Sequence, residues 1–181
     1  MRIIAGSWKG KKLIAPKGEI VKPTTDRAKE ALFSILESYL IKNNLSWKEL
    51  SFLDVFSGSG SIGIEALSRG AKYVSFIDIH PHSITALRTN LPSTTNVKIF
   101  KANALNLPKG ETFDIVFLDP PYNKNLPLKT LEQLKQKNWI HSESLIIIEM
   151  DVKEEYSFND FNITQVRTYH RNKFVFLTLT L

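Results

Sequence analysis

The 181-residue sequence predicts an α/β protein on a mostly parallel, seven-stranded sheet whose last strand is antiparallel. Three observations predict it. From residue 51, apolar runs at 52–56, 73–77, 97–100, 115–118 and 145–148 read as buried strands. Helical segments near 61–69, 82–91 and 127–137 fall between most of them, which makes crossover units and parallel neighbours. The strand-like segments 162–168 and 173–181 are separated only by Tyr169 to Asn172, too few residues for a crossover helix, so they form a hairpin. Ahead of the sheet, residues 3–6 and 11–16 read as two short strands, with Gly6 and Gly10 bracketing their turn. Pro23-Thr24-Thr25-Asp26 then punctuates the chain; Thr25 can cap a helix and Asp26 suits its first turn. Ala28, Ala31, Leu32, Ile35, Leu36, Tyr39 and Leu40 recur at helical spacing and predict an amphipathic helix over 26–42. Residues 1–45 are thus expected as an N-terminal extension, hairpin plus helix, and 46–181 as the main domain.

Composition narrows the chemistry. The 43% of hydrophobic residues suffices for a core, and no run of 18 uncharged apolar residues is present to span a membrane. The first residues lack the apolar stretch and cleavage site of a signal peptide. The chain has no cysteine, which removes disulfides, thiolate zinc sites and a cysteine nucleophile and fits a cytoplasmic protein. The formal net charge is +6, but it is unevenly placed. Arg2, Lys9, Lys11, Lys12, Lys17 and Lys22 face a single acid, Glu19, within residues 1–22, leaving the rest of the chain nearly neutral. A basic arm on a neutral body suits a polyanion, because each phosphate contact releases counterions; a solvated lysine-rich surface has the same composition.

The segment Asp54-Val55-Phe56-Ser57-Gly58-Ser59-Gly60-Ser61-Ile62-Gly63 follows the first strand and opens a helix. Glycines let the backbone turn sharply and approach a ligand at the carboxyl edge of the sheet. The spacing Gly58-x-Gly60-x-x-Gly63 also fits a dinucleotide site, and Asp78, ending the second strand, is a carboxylate for ribose hydroxyls in either class of cofactor. Asp54 inside the strand end tilts the pattern away from NAD. The loop resembles motif I of class I S-adenosylmethionine methyltransferases, where it cradles the amino-acid part of the cofactor. By the same resemblance Asp54, Phe56, Ser57, Gly58, Ser59, Gly60, Asp78 and Ile79 contact cofactor, and Asn103 with Ala104, after the third strand, meet the adenine.

Asp119-Pro120-Pro121-Tyr122 directly follows the fourth strand and is the most specific signal. An exocyclic amine is a poor nucleophile because its lone pair is delocalised into the base. A carboxylate oxygen of Asp119 and the Pro120 carbonyl can each accept one amine hydrogen and aim the nitrogen at a sulfonium methyl. Both prolines have a fixed φ and no N–H, so the loop is stiff and presents acceptors. Tyr122 offers a flat face to a base taken out of its stack. This is the (D/N)PP(Y/F) motif of amino-methyltransferases. Together with Met1-Arg2-Ile3-Ile4-Ala5-Gly6-x-x-Lys9-Gly10, Pro23-Thr24-Thr25-Asp26-Arg27 and Glu65-Ala66-Leu67-Ser68-Arg69-Gly70-Ala71, it resembles the RsmD family over residues 1 to about 150.

That resemblance implies a Rossmann-like methyltransferase domain using S-adenosyl-L-methionine, with N2 of one guanine in 16S ribosomal RNA as the target. It further implies a partly assembled small subunit as partner; a monomer is expected, and the basic arm is expected to place Arg2, Lys9, Lys11, Lys12 and Arg27 on the RNA. Two positions depart from the family: Asp78 where Glu is more frequent, and Tyr169-His170 where Tyr-Gly is common. His80-Pro81-His82 reads as a helix start and not a metal pair, His141 and His170 fall in expected loops, and Trp47 and Trp139 read as packing residues. Trp8 can stack on a base or pack the hairpin. Three other functions share parts of the pattern. An amino-methyltransferase acting on another RNA or on DNA (adenine N6 or cytosine N4) shares both motifs. A nicotinamide oxidoreductase shares only the glycine loop, and a non-catalytic RNA-binding module has no need of an intact Asp119.

Overall fold

The structure, a computed structural model, describes residues 1–17, 25–94, 96–121 and 125–180. Its elements are α1 (Asp26–Lys42), a single 3₁₀ turn at Trp47–Glu49, β1 (Ser51–Val55), α2 (Ser61–Ser68), β2 (Tyr73–Asp78), α3 (Pro81–Asn90) and β3 (Val97–Lys101). They continue with β4 (Phe113–Leu118), α4 (Leu126–Gln136), β5 (Ile140–Asp151), β6 (Phe161–Tyr169) and β7 (Asn172–Leu179). The seven strands form one sheet in the order β3-β2-β1-β4-β5-β7-β6. Neighbours from β3 to β5 are parallel, and β7 runs antiparallel to both β5 and β6. The order reverses between β1 and β4, and at such a switch the carboxyl ends of adjacent strands open a crevice.

Strand residues alternate between two cores. Phe52, Phe76, Phe117, Ile147 and Phe174 pack on one face with Leu32, Phe33 and Leu36 of α1 and with Ile3 and Leu13. Leu53, Val55, Val116, Leu118 and Ile148 pack on the other with Leu131, Leu134 and Trp139. Covered on both sides, the central strands carry the continuous apolar runs seen in the sequence. Thr25 caps α1 by accepting from the Ala28 N–H at 3.2 Å, and Pro81 occupies the first turn of α3. His80 and His82 therefore do mark a helix start. Trp47 and Trp139 are buried, and Trp8 lies half-buried against the first core. Among the described residues no helix is long and apolar enough to cross a membrane.

Three expectations need correcting. The N-terminal hairpin forms but is shorter than expected: Ile3 N–H donates to the Lys11 carbonyl, Gly10 N–H to the Ile3 carbonyl and Leu13 N–H to the Met1 carbonyl around an antiparallel Arg2 to Lys12 bridge, and the pairing stops at Ile3. The reason is a competing partner: the N–H groups of Ile4 and Ala5 donate to the Glu65 carboxylate at 2.7 and 2.9 Å, and Ser68 Oγ donates to the Ala5 carbonyl. Past Ile3 the arm is bonded to α2, while its first residues stay paired with 10–13. β5 extends well beyond 145–148, because a register shift against β4 absorbs its polar start. There Ser144 Oγ accepts from the His141 N–H at 2.8 Å and donates to the Phe113 carbonyl at 2.6 Å, so His141 belongs to a strand and not to a loop. His170 does lie in the tight turn joining β6 to β7.

Glu65 and Lys29 are fully buried and lie 3.4 Å apart. Burial pushes the Lys29 ammonium below its usual value, and Glu65 pulls the other way. Removing one partner of a buried pair costs about 3–5 kcal/mol. Glu65→Ala is expected to lower Tm by on the order of 10 °C in a thermal melt. Lys29→Met with Glu65→Leu should recover only part of this, since the Ile4 and Ala5 N–H groups stay unpaired; full recovery would show that the ion pair alone matters. His170 sits at φ 53°, in the left-handed region that glycine occupies without a steric penalty. His170→Gly is expected to stabilise the turn by roughly 1 kcal/mol and raise Tm by about 2–4 °C, whereas a lower Tm would refute strain there.

Candidate active site

The loops after β1, β2, β3 and β4 meet at the carboxyl edge of the sheet. After β1 the chain turns at Phe56, whose φ of 61° is unusual for a bulky residue and marks local strain. Surrounding bonds hold it there: Ser57 N–H donates to the Ile77 carbonyl at 3.1 Å and Gly60 N–H to the Ser57 carbonyl at 2.7 Å. Gly60 precedes α2 and has no side chain to cap it. Asp54 serves instead, accepting from the Gly63 N–H at 2.9 Å beneath the helix N-terminus. The glycines differ in purpose. A Cβ on Gly60 would strike Leu87 and one on Gly63 would strike Phe76, whereas a Cβ on Gly58 would meet nothing within 4 Å. Among the described residues Gly58 therefore faces open space, and the adjoining Ser57 hydroxyl is buried with no hydrogen-bond partner.

Asp78 ends β2 with one carboxylate oxygen accepting from the Gly58 N–H and the other from the His80 N–H, each at 2.8 Å. It thereby ties the glycine loop to the start of α3. Each oxygen keeps a lone pair for a further donor. Ile79 is 47% exposed, an apolar face on the rim. After β3, Asn103 Oδ1 accepts from the Leu105 N–H at 2.9 Å in a local turn, and Ala104 is buried. The Ala102 N–H, donating to the Asp78 carbonyl at 3.1 Å, holds this loop against β2.

Asp119 and Pro120 follow β4, with the Asp119 N–H directed at the Val55 carbonyl at 3.4 Å. Pro121 is exposed, and Tyr122 lies outside the described residues. Asp54, Phe56, Ser57, Gly58, Ser59 and Asp119 line a cleft, and Met1 and Pro16 of the arm form part of its wall. Asp119 is half-buried by surface, yet its carboxyl lies deep among protein atoms; burial raises its pKa well above the usual carboxylate range, and Glu149 and Asp54 add to the effect. Burial likewise raises Asp54 to about 8, opposed by its bond to Gly63. Glu149 is the residue that sequence reasoning missed. It sits one step beyond the Leu118–Ile148 pair, beside Asp119, and accepts from Asn172 Nδ2 at 2.5 Å. The available signal was an acid inside the apolar run Leu145 to Met150. Asp54 and Asp119 thus line the cleft with two carboxyls whose burial opposes ionisation, with Glu149 beside Asp119 on the same face of the sheet.

The cations expected on RNA divide into two groups. Arg2, 63% exposed at its side chain, pairs with Asp26 at 3.1 Å, and Lys11 Nζ donates to the Asn90 carbonyl at 2.6 Å. Lys9, Lys12 and Arg27 are exposed. Among the described residues no group of three or more His, Cys, Asp or Glu is arranged to hold a metal ion.

Comparison with known proteins agrees with this geometry. The family described as Conserved hypothetical protein 95 matches residues 1–178. The Ribosomal RNA small subunit methyltransferase D of Haemophilus influenzae is 37% identical over 159 residues, covering 83% of this chain and 79% of its own. The solved structure of the Escherichia coli protein yhhF superposes with a TM-score of 0.83 at 30% identity, over 99% of this chain and 97% of that one. At 20% identity, the ribosomal protein L11 methylase of Lactobacillus delbrueckii shares the fold alone, with a TM-score of 0.70 over 98% of this chain and 90% of that one. With its glycine loop, its Asp-Pro-Pro turn and the match along nearly its whole length, the chain belongs to the RsmD family of Rossmann-like methyltransferases.

Proposed function

We propose that the chain transfers a methyl group from S-adenosylmethionine to the exocyclic N2 amine of one guanine in 16S ribosomal RNA. The observation that carries this reading is Asp119, an acceptor at the lip of the glycine-loop cleft with Pro120 and Pro121 stiffening the backbone behind it. The name of the Haemophilus influenzae relative supports ribosomal RNA as the substrate class. On this reading the enzyme works in the cytoplasm as a monomer, on a partly assembled small subunit, with Lys9, Lys12 and Arg27 free to meet phosphate and Arg2 and Lys11 sharing that role with their protein partners.

The cleft suits the cofactor on two counts. The unpartnered Ser57 hydroxyl and the open space at Gly58 accommodate a polar ligand, and the Asp54 and Asp119 carboxyls would ionise more readily with a cation beside them. The loop from Phe56 to Gly60, with Asp54 beneath it, would hold the methionine part and Asp78 the ribose hydroxyls. Ile79, Ala104 and the Asn103 amide would bound the adenine. Bound there, S-adenosylmethionine supplies an electrophilic methyl on a sulfonium. The protein's part is positioning: an Asp119 carboxylate oxygen and the Pro120 carbonyl accept the two amine hydrogens, turning the nitrogen lone pair out of conjugation, and Tyr122 stacks on the base. Once ionised, the Asp119 carboxylate would also stabilise the positive charge that develops on that nitrogen.

Asp119→Ala is expected to lower methyl transfer to undermethylated small subunits by about 10²–10³-fold while S-adenosylhomocysteine still binds. Transfer within a few-fold of wild type would remove Asp119 from the chemistry. The pH dependence of binding is a second check. Carboxyls that are protonated in the free protein must release a proton to receive a cation. Affinity for S-adenosylmethionine should therefore climb as pH rises toward about 8, the value for Asp54, and then level off. S-adenosylhomocysteine, whose thioether is neutral, should show a weaker dependence. Calorimetric titrations from roughly pH 6 to 9 separate the two, and parallel profiles would contradict charge matching by these carboxyls.

A further inference from the structure

A second concavity lies away from the cofactor cleft, on the sheet face covered by α1. It runs between α1 and β6, with Ile35, Tyr39 and Lys42 on one wall, Arg167 and Tyr169 on the other, and Leu145 contributing to the floor. We propose that this groove carries the phosphate backbone of the RNA strand leading to the target base, a path separate from the N-terminal arm. The proposal rests on the RNA reading above and goes further by naming where the strand lies.

Register connects the groove to the chemistry. Arg167 pairs with Phe174 and Phe174 with Glu149, which lies beside Asp119. Arg167 and Asp119 thus occupy one row across β6, β7, β5 and β4, about 14 Å apart at three strand spacings. α1 runs from the edge bearing the active site, where Lys29 Nζ lies 3.3 Å from Ser61 Oγ at the start of α2, toward the opposite edge, where Arg69 meets Glu37. The stretch of α1 lining the groove, residues 31–43, spans about 18 Å. The upper mouth, at Arg167 and Tyr169, therefore opens toward the active site.

Charge and shape fit a nucleic-acid strand. Arg167 and Lys42 are exposed, and neither forms an ion pair among the described residues. In the amide orientation that satisfies both side chains, Gln165 accepts from Arg167 Nε at 2.9 Å and Nη2 at 3.1 Å, and Nη1 donates to the Val166 carbonyl at 3.2 Å. This fixes the guanidinium while leaving two of its five N–H donors for a phosphate oxygen. Tyr39 and Tyr169 are half-buried against the first core, Tyr169 beside Phe174 at 5.7 Å, so both rings line the groove where a base can meet them. The acid near this wall, Glu143, acts on the Tyr39 hydroxyl and lies toward the lower end, away from Arg167. The arm cations Arg2 and Lys11, by contrast, already have protein partners.

The test is RNA binding by the full chain at several salt concentrations, using a 16S rRNA fragment as probe, beside methyl transfer to undermethylated small subunits and a thermal melt. Lys42→Ala with Arg167→Ala should lower the log–log salt slope by about 1.4–1.8 and weaken binding roughly 25–60-fold at 0.1 M salt. Tm and S-adenosylhomocysteine affinity should not change, and Arg167→Lys should restore most of the lost slope. An unchanged slope in the double variant, with wild type binding and methylating the RNA, overturns the groove but leaves the RNA reading standing. If wild type neither binds nor methylates ribosomal RNA, both fall. If wild type sediments as a dimer that the double variant breaks, the groove belongs to a second copy of this chain and the proposal is refuted.

Discussion

The Glu65 carboxylate, buried on α2, is the interaction on which much of the remaining architecture depends. It accepts from the Ile4 and Ala5 N–H groups, lies 3.4 Å from the Lys29 ammonium, and is bonded by Arg69 Nε at 3.0 Å. Arg69 in turn reaches Glu37 and lies over the Phe33 ring. One side chain therefore joins the N-terminal arm, α1 and α2. A charge so enclosed is tolerated only when each oxygen is fully partnered, and loss of one partner leaves others stranded in a low dielectric. Gly6 makes the same junction sterically possible: a Cβ there would lie 1.8 Å from the Ser68 carbonyl oxygen.

This junction matters at the cleft because the arm supplies part of its wall. Met1 and Pro16 border the glycine loop, and Asn90 holds the arm's far end by accepting from the Ile14 N–H and donating to the Ile14 and Ser59 carbonyls. The basic N-terminal segment is thus a fixed element of the site, with Lys9 and Lys12 left projecting from it. Its other function is to bury Ile3 and Leu13 in the core beneath α1.

The opposite side of the cleft is electrostatic. Asp54, Asp119 and Glu149 all project from one face of neighbouring strands, because each lies an even number of residues from a side chain in the same core: Phe52, Phe117 and Ile147. The switch in strand order between β1 and β4 brings them to one edge. Burial opposes ionisation of Asp54 and Asp119, and a cationic ligand relieves that opposition.

Much was legible in the sequence because it is local. The apolar runs, the Thr25 cap, the helix start at Pro81, the short hairpin connection at His170 and the glycine loop each depend on residues within a turn or a strand of one another. The loop and Asp119-Pro120-Pro121 named the edge of the sheet that carries the site. What only the tertiary structure decided involves partners distant in the chain. Ile4 and Ala5 lie in an expected hairpin strand, yet their N–H groups find a stronger acceptor 61 and 60 residues away in a buried carboxylate. Glu149 became part of the site through the register between β4 and β5, and Arg167 entered the same row through two further antiparallel pairings. Sequence alone determined the elements and the motif chemistry, since propensity, capping and backbone stiffness act over a few residues. Which charges share a buried environment was decided by strand register and helix docking, because electrostatic coupling depends on distance in space and not along the chain.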